Sequence, residues 1–248
     1  MLSVNGRLSL VTNPRANPSA SYPEELTTIS SLKKAGQAIA EIKQWPEYRE
    51  TPLYPLDHLA EELRVRKIWY KDESQRFRLK SFKALGGAYA VSRQLQAAIE
   101  KETGTRPDID ALLAHKHHDI VNRITISCAT DGNHGRSVAW GCQLFGCRCV
   151  IYIHRDVSAA RQQAMEAYGA SVIRITGNYD DSVKLADKEA REHGRIIVSD
   201  TSYPGYMEIA KDVALGYSVL LAESVAQMHV EIPSHVFIQG GVGGLASA

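Results

Sequence analysis

The sequence predicts an α/β protein built on a parallel sheet with helices on both faces. Three observations carry that prediction. From Arg123 onward, short apolar runs alternate with helical patterns of about 10–15 residues. Three polar or glycine-rich loops leave the carboxyl ends of those runs, where ligands of such sheets bind. At 248 residues and 44% hydrophobic content, the chain can fill one large core or two small ones.

The first 50 residues are uneven. Positions 7–12 alternate as a short strand, and Asn13-Pro14-Arg15-Ala16-Asn17-Pro18-Ser19 breaks any regular element. A helix is predicted over 29–42, with Leu32, Ala35, Ile39 and Ile42 on one face. Thr51-Pro52-Leu53 signals a turn. Residues 56–63 form one or two helical turns with Leu56, Leu59 and Leu63 on one side, and 66–71 read as a strand. The polar Asp72-Glu73-Ser74-Gln75 loop follows.

The next helix carries Leu85, Ala88, Ser92, Leu95 and Ile99 at three-and-four spacing, with Ser81 as its N-cap. Residues 101–122 are polar, a loop with one short helix. Its His115-Lys116-His117-His118 cluster reads as a solvated loop, because adjacent side chains diverge and Lys116 repels a cation. Strands are then expected at 124–129, 148–153, 171–175, 195–199 and 235–239. Helices are expected at 134–145, 159–168, 182–193 and 206–226.

Charge excludes some partners. With 29 basic against 28 acidic residues, neither nucleic acid nor an anionic membrane is the expected partner. No apolar run reaches the roughly 18 residues of a membrane span, and positions 1–7 carry no secretory pattern. Cys128, Cys142, Cys147 and Cys149 sit on apolar stretches without zinc spacing, which suits reduced thiols of a cytosolic protein. No metal site is expected.

Four places carry chemistry. Lys83 falls in the first turn of its helix, where the dipole and apolar neighbours such as Phe82 disfavour its proton, as an amine nucleophile requires. A solvated surface lysine is the plain alternative. Thr130-Asp131-Gly132-Asn133-His134-Gly135 lets the backbone approach a ligand and offers the Asn133 amide, or it only caps the following helix. Asp200 is either a site carboxylate or a turn former. Gly240-Gly241-Val242-Gly243-Gly244 makes a backbone-amide cradle for phosphate. The stretch from Gly241 to Ala246 also fits the dinucleotide pattern Gly-x-Gly-x-x-Ala, which leaves a nicotinamide-dependent oxidoreductase open.

Ser81-Phe82-Lys83, the 130–135 loop and Gly240-Gly241-Val242-Gly243-Gly244-Leu245 together resemble, in this order, the tryptophan-synthase-β-like, fold type II pyridoxal-phosphate enzymes. Thr51-Pro52-Leu53 is similar to their early substrate-side turn. The resemblance implies a three-layer fold. It divides the chain into 1–95, part of the large cofactor-binding domain, 96–237, a complete small α/β domain, and 238–248, a returning strand and glycine loop. The remainder of the large domain is expected to be missing, so the large domain is incomplete.

The resemblance further implies pyridoxal 5′-phosphate as cofactor. Lys83 would be the Schiff-base lysine, Asn133 the partner of the ring hydroxyl, and Gly240, Gly241, Val242, Gly243 and Gly244 the phosphate site. Asp131 and Asp200 would lie near the substrate's Cα or amino group. Asp131 and the 200–206 segment look most like members that eliminate ammonia from 2,3-diaminopropionate to give pyruvate. Threonine dehydratases and cysteine synthases usually carry Ser or another residue at 131. A threonine/serine dehydratase-like lyase and a non-catalytic remnant are the alternatives. A small amino-acid substrate, a homodimeric full-length form and a cytoplasmic location complete the expectation.

Overall fold

The computed structural model describes residues 14, 17, 19–28, 30–229 and 231–248. The strand expected at 7–12 lies outside them. Helix α1 (Leu32–Ile42) is capped by Ser31, whose Oγ accepts from Lys34 N at 3.2 Å. Ala38 and Ile42 are its buried residues.

Strands β1 (Leu53–Pro55) and β2 (Trp69–Lys71) pair antiparallel, Leu53 opposite Lys71. Thus the turn expected at 51–53 opens a strand. Between them, α2 (Asp57–Leu63) buries Ala60 and leaves Leu59 and Leu63 exposed, so its expected leucine face is not a core face.

The long helix α3 (Lys83–Thr103) runs unbroken across the expected 95/96 division. Its predicted face is correct: Leu85, Ala88, Ser92, Leu95 and Ile99 are all buried. Each large apolar side chain buried this way contributes about 2 kcal/mol. The helix stops at Gly104, whose φ of 75° is the left-handed conformation that glycine adopts without strain. The polar stretch after it forms two short helices, α4 (Ile109–Leu113) and α5 (His118–Val121).

The parallel sheet follows, with β3 (Thr125–Ala129), β4 (Arg148–Ile153), β5 (Ser171–Arg174) and β6 (Ile196–Ile197) in the order β5-β4-β3-β6. Register is fixed by pairs such as Cys128 with Ile151 and Ile126 with Ile196. Stepping from β3 to β4 to β5, right-handed crossovers put α6 (Asn133–Phe145) and α7 (Ala159–Glu166) on one face. The return to β6 goes the other way, so α8 (Tyr179–His193) covers the opposite face. The strand order therefore reverses between β3 and β6.

Helix α3 packs behind α6 and against α9 (Glu208–Gln227), and α1 packs on α9. These crossings are close. A Cβ on Gly141 would lie 2.8 Å from Ala88 Cα, and one on Gly216 would lie 2.6 Å from the Leu85 carbonyl oxygen. The core runs continuously from these helices into the sheet. All four cysteines are free, and Cys128, Cys142 and Cys149 are buried.

The strand expected at 235–239 does not form, and neither does the returning strand of the expected 238–248 unit. Val236 and Phe237 are exposed, and no described residue offers them a ladder. A strand exists only through such pairing. Among the described residues no helix is long and apolar enough to cross a membrane.

Candidate active site

The loops after β3 and β6 leave the sheet on either side of the point where strand order reverses, the place at which ligands of such sheets bind. Thr130 shapes the first loop. Its Oγ1 accepts from the amides of Gly132 and Gly135, both at 3.2 Å. The N-cap of α6 is Gly132, which has no side-chain bond of that kind. Asp131 is therefore not a helix cap. It is exposed, and only its backbone oxygen is held, by Arg161 Nη1 at 3.2 Å. Asn133, the first residue of α6, is exposed beside it.

The second loop is pinned by Tyr206, whose hydroxyl accepts from Ser199 N at 2.7 Å and donates to the Ile197 carbonyl at 3.0 Å. Pinned there, Asp200 is nearly buried and its Oδ2 pairs with the Lys83 amine. Lys83 opens α3. Ser81 is not the N-cap, a position held by Phe82, but its Oγ accepts from Lys83 N at 3.2 Å and so satisfies one free amide of that turn. The Lys83 amine is 6.0 Å from the ring centres of both Phe82 and Tyr217, which meet edge-on. Thus the apolar setting expected for Lys83 is present, with a carboxylate added.

His134 completes the group. Its Nε2 bonds the Val198 carbonyl at 2.9 Å, tying the β3 loop to the end of β6, and its Nδ1 is 3.8 Å from Asp200 Oδ2. Burial opposes ionisation of Asp200, yet His134 and Lys83 outweigh it and hold the carboxyl below its ordinary range. Burial, then the charges of Asp200 and Asp131, push the Tyr179 phenol up. Tyr179 thus lies in the field of both carboxylates.

The glycine loop comes to the same place. Asp200, Ser202, Lys211, Leu215, Val242 and Gly244 line a cavity of about 220 Å³. Gly243 has φ 89°, and a Cβ on Gly244 would meet Tyr217 at 3.4 Å and the Asp200 backbone oxygen at 3.7 Å. Nothing lies within 4 Å of where a Cβ would stand on Gly240, Gly241 or Gly243, so that backbone is open to a ligand.

Of the residues expected from the sequence, the structure brings Lys83, Asp200 and the glycine turn together, and it adds His134 and Lys211, which the sequence had not singled out. The signal for His134 was faint, a histidine inside an otherwise small and polar loop. For Lys211, one lysine early in an apolar helix was the only cue. Thr51, expected on the substrate side, is instead buried with Arg76 and Glu223. Among the described residues no three His, Cys, Asp or Glu side chains are grouped to hold a metal ion.

The family described as pyridoxal-phosphate dependent enzyme matches residues 45–248. Diaminopropionate ammonia-lyase of Escherichia coli strain K12 is 43% identical over 202 residues, 80% of this chain and 49% of that protein. The crystal structure of the Escherichia coli enzyme in apo form superposes with a TM-score of 0.80 at 39% identity, covering 88% of this chain and 58% of that one. A chloroplastic biosynthetic threonine dehydratase of Solanum lycopersicum is more distant, 26% identical over 196 residues, 79% of this chain and 27% of that protein. The chain spans about half the length of the curated diaminopropionate ammonia-lyases it matches.

Proposed function

The chain belongs to the pyridoxal-phosphate dependent enzyme family, and from it we propose that this protein eliminates ammonia from 2,3-diaminopropionate. One substrate and one water would give pyruvate and two ammonia. The residues present suit the cofactor: a part-buried primary amine to hold an aldehyde, and open glycine amides to take a phosphate. Lys83 would hold the aldehyde carbon, Asn133 the ring hydroxyl, and the amides of 240–244 the phosphate. Bound there, pyridoxal 5′-phosphate supplies the electron sink for charge developing at the substrate Cα.

The chain's own groups would do the rest. The Lys83 amine takes the α-proton from one side. Asp131, unburdened by any capping role, takes it from the other and so serves the opposite enantiomer. Asp200 holds the lysine's charge in place.

The observation that carries the reading is the meeting of Lys83, Asp200 and the glycine turn at the reversal of strand order. Similarity favours diaminopropionate over threonine, 43% against 26% identity. The test is borohydride reduction of the intact protein with pyridoxal 5′-phosphate, then turnover of diaminopropionate, threonine and serine. The expected result is a pyridoxyl group on Lys83 and fastest pyruvate release from diaminopropionate. No label on Lys83 overturns the cofactor site; faster turnover of threonine or serine overturns the substrate.

A further inference from the structure

His134 is buried at 5% exposure, and its Nδ1 has no hydrogen-bond partner. Its other nitrogen faces a carbonyl, Val198 O at 2.9 Å, and a carbonyl can only accept. Nε2 therefore carries a hydrogen in every protonation state of the ring. Nδ1 is left with a lone pair or a second proton, and the group it looks toward is Asp200 Oδ2 at 3.8 Å. That same oxygen is the one paired with the Lys83 amine. One carboxylate oxygen thus stands between two nitrogen bases, each able to hold the proton that neutralises it.

We propose that His134 is a positioning residue for Lys83, acting through Asp200 as the alternative holder of the lysine's proton. In one state Lys83 is an ammonium ion paired with the carboxylate, and Nδ1 keeps its lone pair. In the other, an N–H bond of Lys83 breaks and its electron pair stays on Nζ. The proton passes by way of Asp200 Oδ2 and an N–H bond forms at Nδ1. Asp200 ends as a carboxylate in both states, paired once with lysine and once with imidazolium. Net charge is unchanged. The consequence is a lysine that can become a free nucleophile without releasing its proton to solvent.

Other titratable groups around Asp200 are the Tyr179, Tyr206 and Tyr217 phenols and the Cys128 thiol, on α8, the β6 loop, α9 and β3, with the Lys211 amine lining the same cavity. Burial raises the four phenol and thiol groups, which keeps each of them in its neutral, proton-bearing form.

This inference rests on Lys83 as the aldehyde-binding amine, and its test reads that amine rather than turnover. In the intact protein, the rate at which Lys83 combines with pyridoxal is followed from pH 5 to 10 by borohydride trapping and peptide mass. The His134→Gln variant keeps a donor for Val198 O but cannot take the proton. Its labelling at pH 7 is expected to fall about tenfold, the change for one unit of pKa, and to recover by pH 10. An unchanged rate, or one lowered equally at every pH, overturns the proposal. Lys83 that takes no label at any pH overturns the cofactor site as well. Should the variant fail to fold, nitrogen-15 NMR of the wild-type ring decides independently. A fixed Nε2–H, with a titration midpoint moved by Asp200→Asn, supports the relay; a midpoint that does not move overturns it.

Discussion

Around Glu223, on α9, the carboxylate oxygens are fully occupied. Oε1 accepts from the Tyr48 hydroxyl and Arg76 Nη1, each at 2.8 Å. Oε2 accepts from Arg76 Nη2 at 2.7 Å, Lys71 Nζ at 2.8 Å and Thr51 N at 3.2 Å. Arg76 is equally engaged, with Glu73 and the Arg49 carbonyl as further acceptors. Around Asp200 the arrangement is sparse. Its carboxylate pairs with a part-buried lysine, a histidine nitrogen stands 3.8 Å away, and the buried Tyr217 hydroxyl nearby has no hydrogen-bond partner.

Glu223 is buried and Asp200 nearly so, and both titrate below their ordinary range, so the shift alone does not tell them apart. Satisfaction does. A cluster with every donor matched locks a structure, whereas one with donors left over keeps capacity for a ligand or a proton. The locked cluster also has something to hold. Immediately after Arg76 the chain passes through Phe77, Arg78 and Lys80, all with φ between 45° and 59°, before delivering Lys83. Left-handed backbone at non-glycine residues is costly and persists only where its surroundings enforce it.

The sharpest way to break the comparison is Lys83→Ala. Turnover is expected to fall on the order of 10⁴-fold or more, as when a covalent catalyst is removed, with the melting temperature almost unmoved. A large loss of stability instead would make the Asp200 cluster structural.

Glu223→Ala should behave in the opposite sense. It leaves Arg76 buried without its main partner, at a cost of about 3–5 kcal/mol read by urea denaturation. Acid should show the same carboxylate. Burial raises its pKa, but Arg76, Lys71 and Tyr48 outweigh that and hold it at about 2, below its ordinary 4.5. Its contribution to stability is then complete above pH 4.5 and lost as pH falls through about 2. The wild-type and Glu223→Gln urea midpoints should differ at pH 6 and converge near pH 2. A constant gap would remove Glu223 from the account of acid stability.

Asp131→Asn sharpens the contrast further, since this carboxylate is exposed and holds nothing in place. The expected loss is about a hundredfold on one enantiomer of diaminopropionate, with little change on the other and none in stability. Equal rates for both enantiomers would end the two-base reading.

Gly216→Ala probes the joint between the helices that carry the two clusters. The added methyl would meet the Leu85 carbonyl at 2.6 Å and Gly86 Cα at 2.7 Å. Overpacking of this kind costs about 1–3 kcal/mol. A smaller, secondary drop in cofactor affinity should accompany it as α3 shifts, measurable by cofactor absorbance.

By itself the sequence determined the parts whose signals are local. The spacing of Leu85, Ala88, Ser92, Leu95 and Ile99 decided which side of α3 is buried, because helix periodicity is a property of consecutive residues. The alternation after Arg123 likewise decided a parallel sheet and where its open loops lie. Glycines placed together announced an open turn, since their backbone freedom needs no partner elsewhere.

Other features were settled only when distant segments met. Residues 235–239 read as a strand but stay unpaired, because a ladder requires a neighbour that no local pattern supplies. Glu73, Arg76 and Glu223 look like surface charges in one dimension; contacts across 147 positions turn them into a buried lock. Thr130, not Asp131, accepts from the loop amides of Gly132 and Gly135, and His134 reached Val198 across 64 positions to face Asp200. Whether a polar group is satisfied depends on the three-dimensional neighbours of each atom, and here that decided which carboxylate, Glu223 or Asp200, has its oxygens fully occupied.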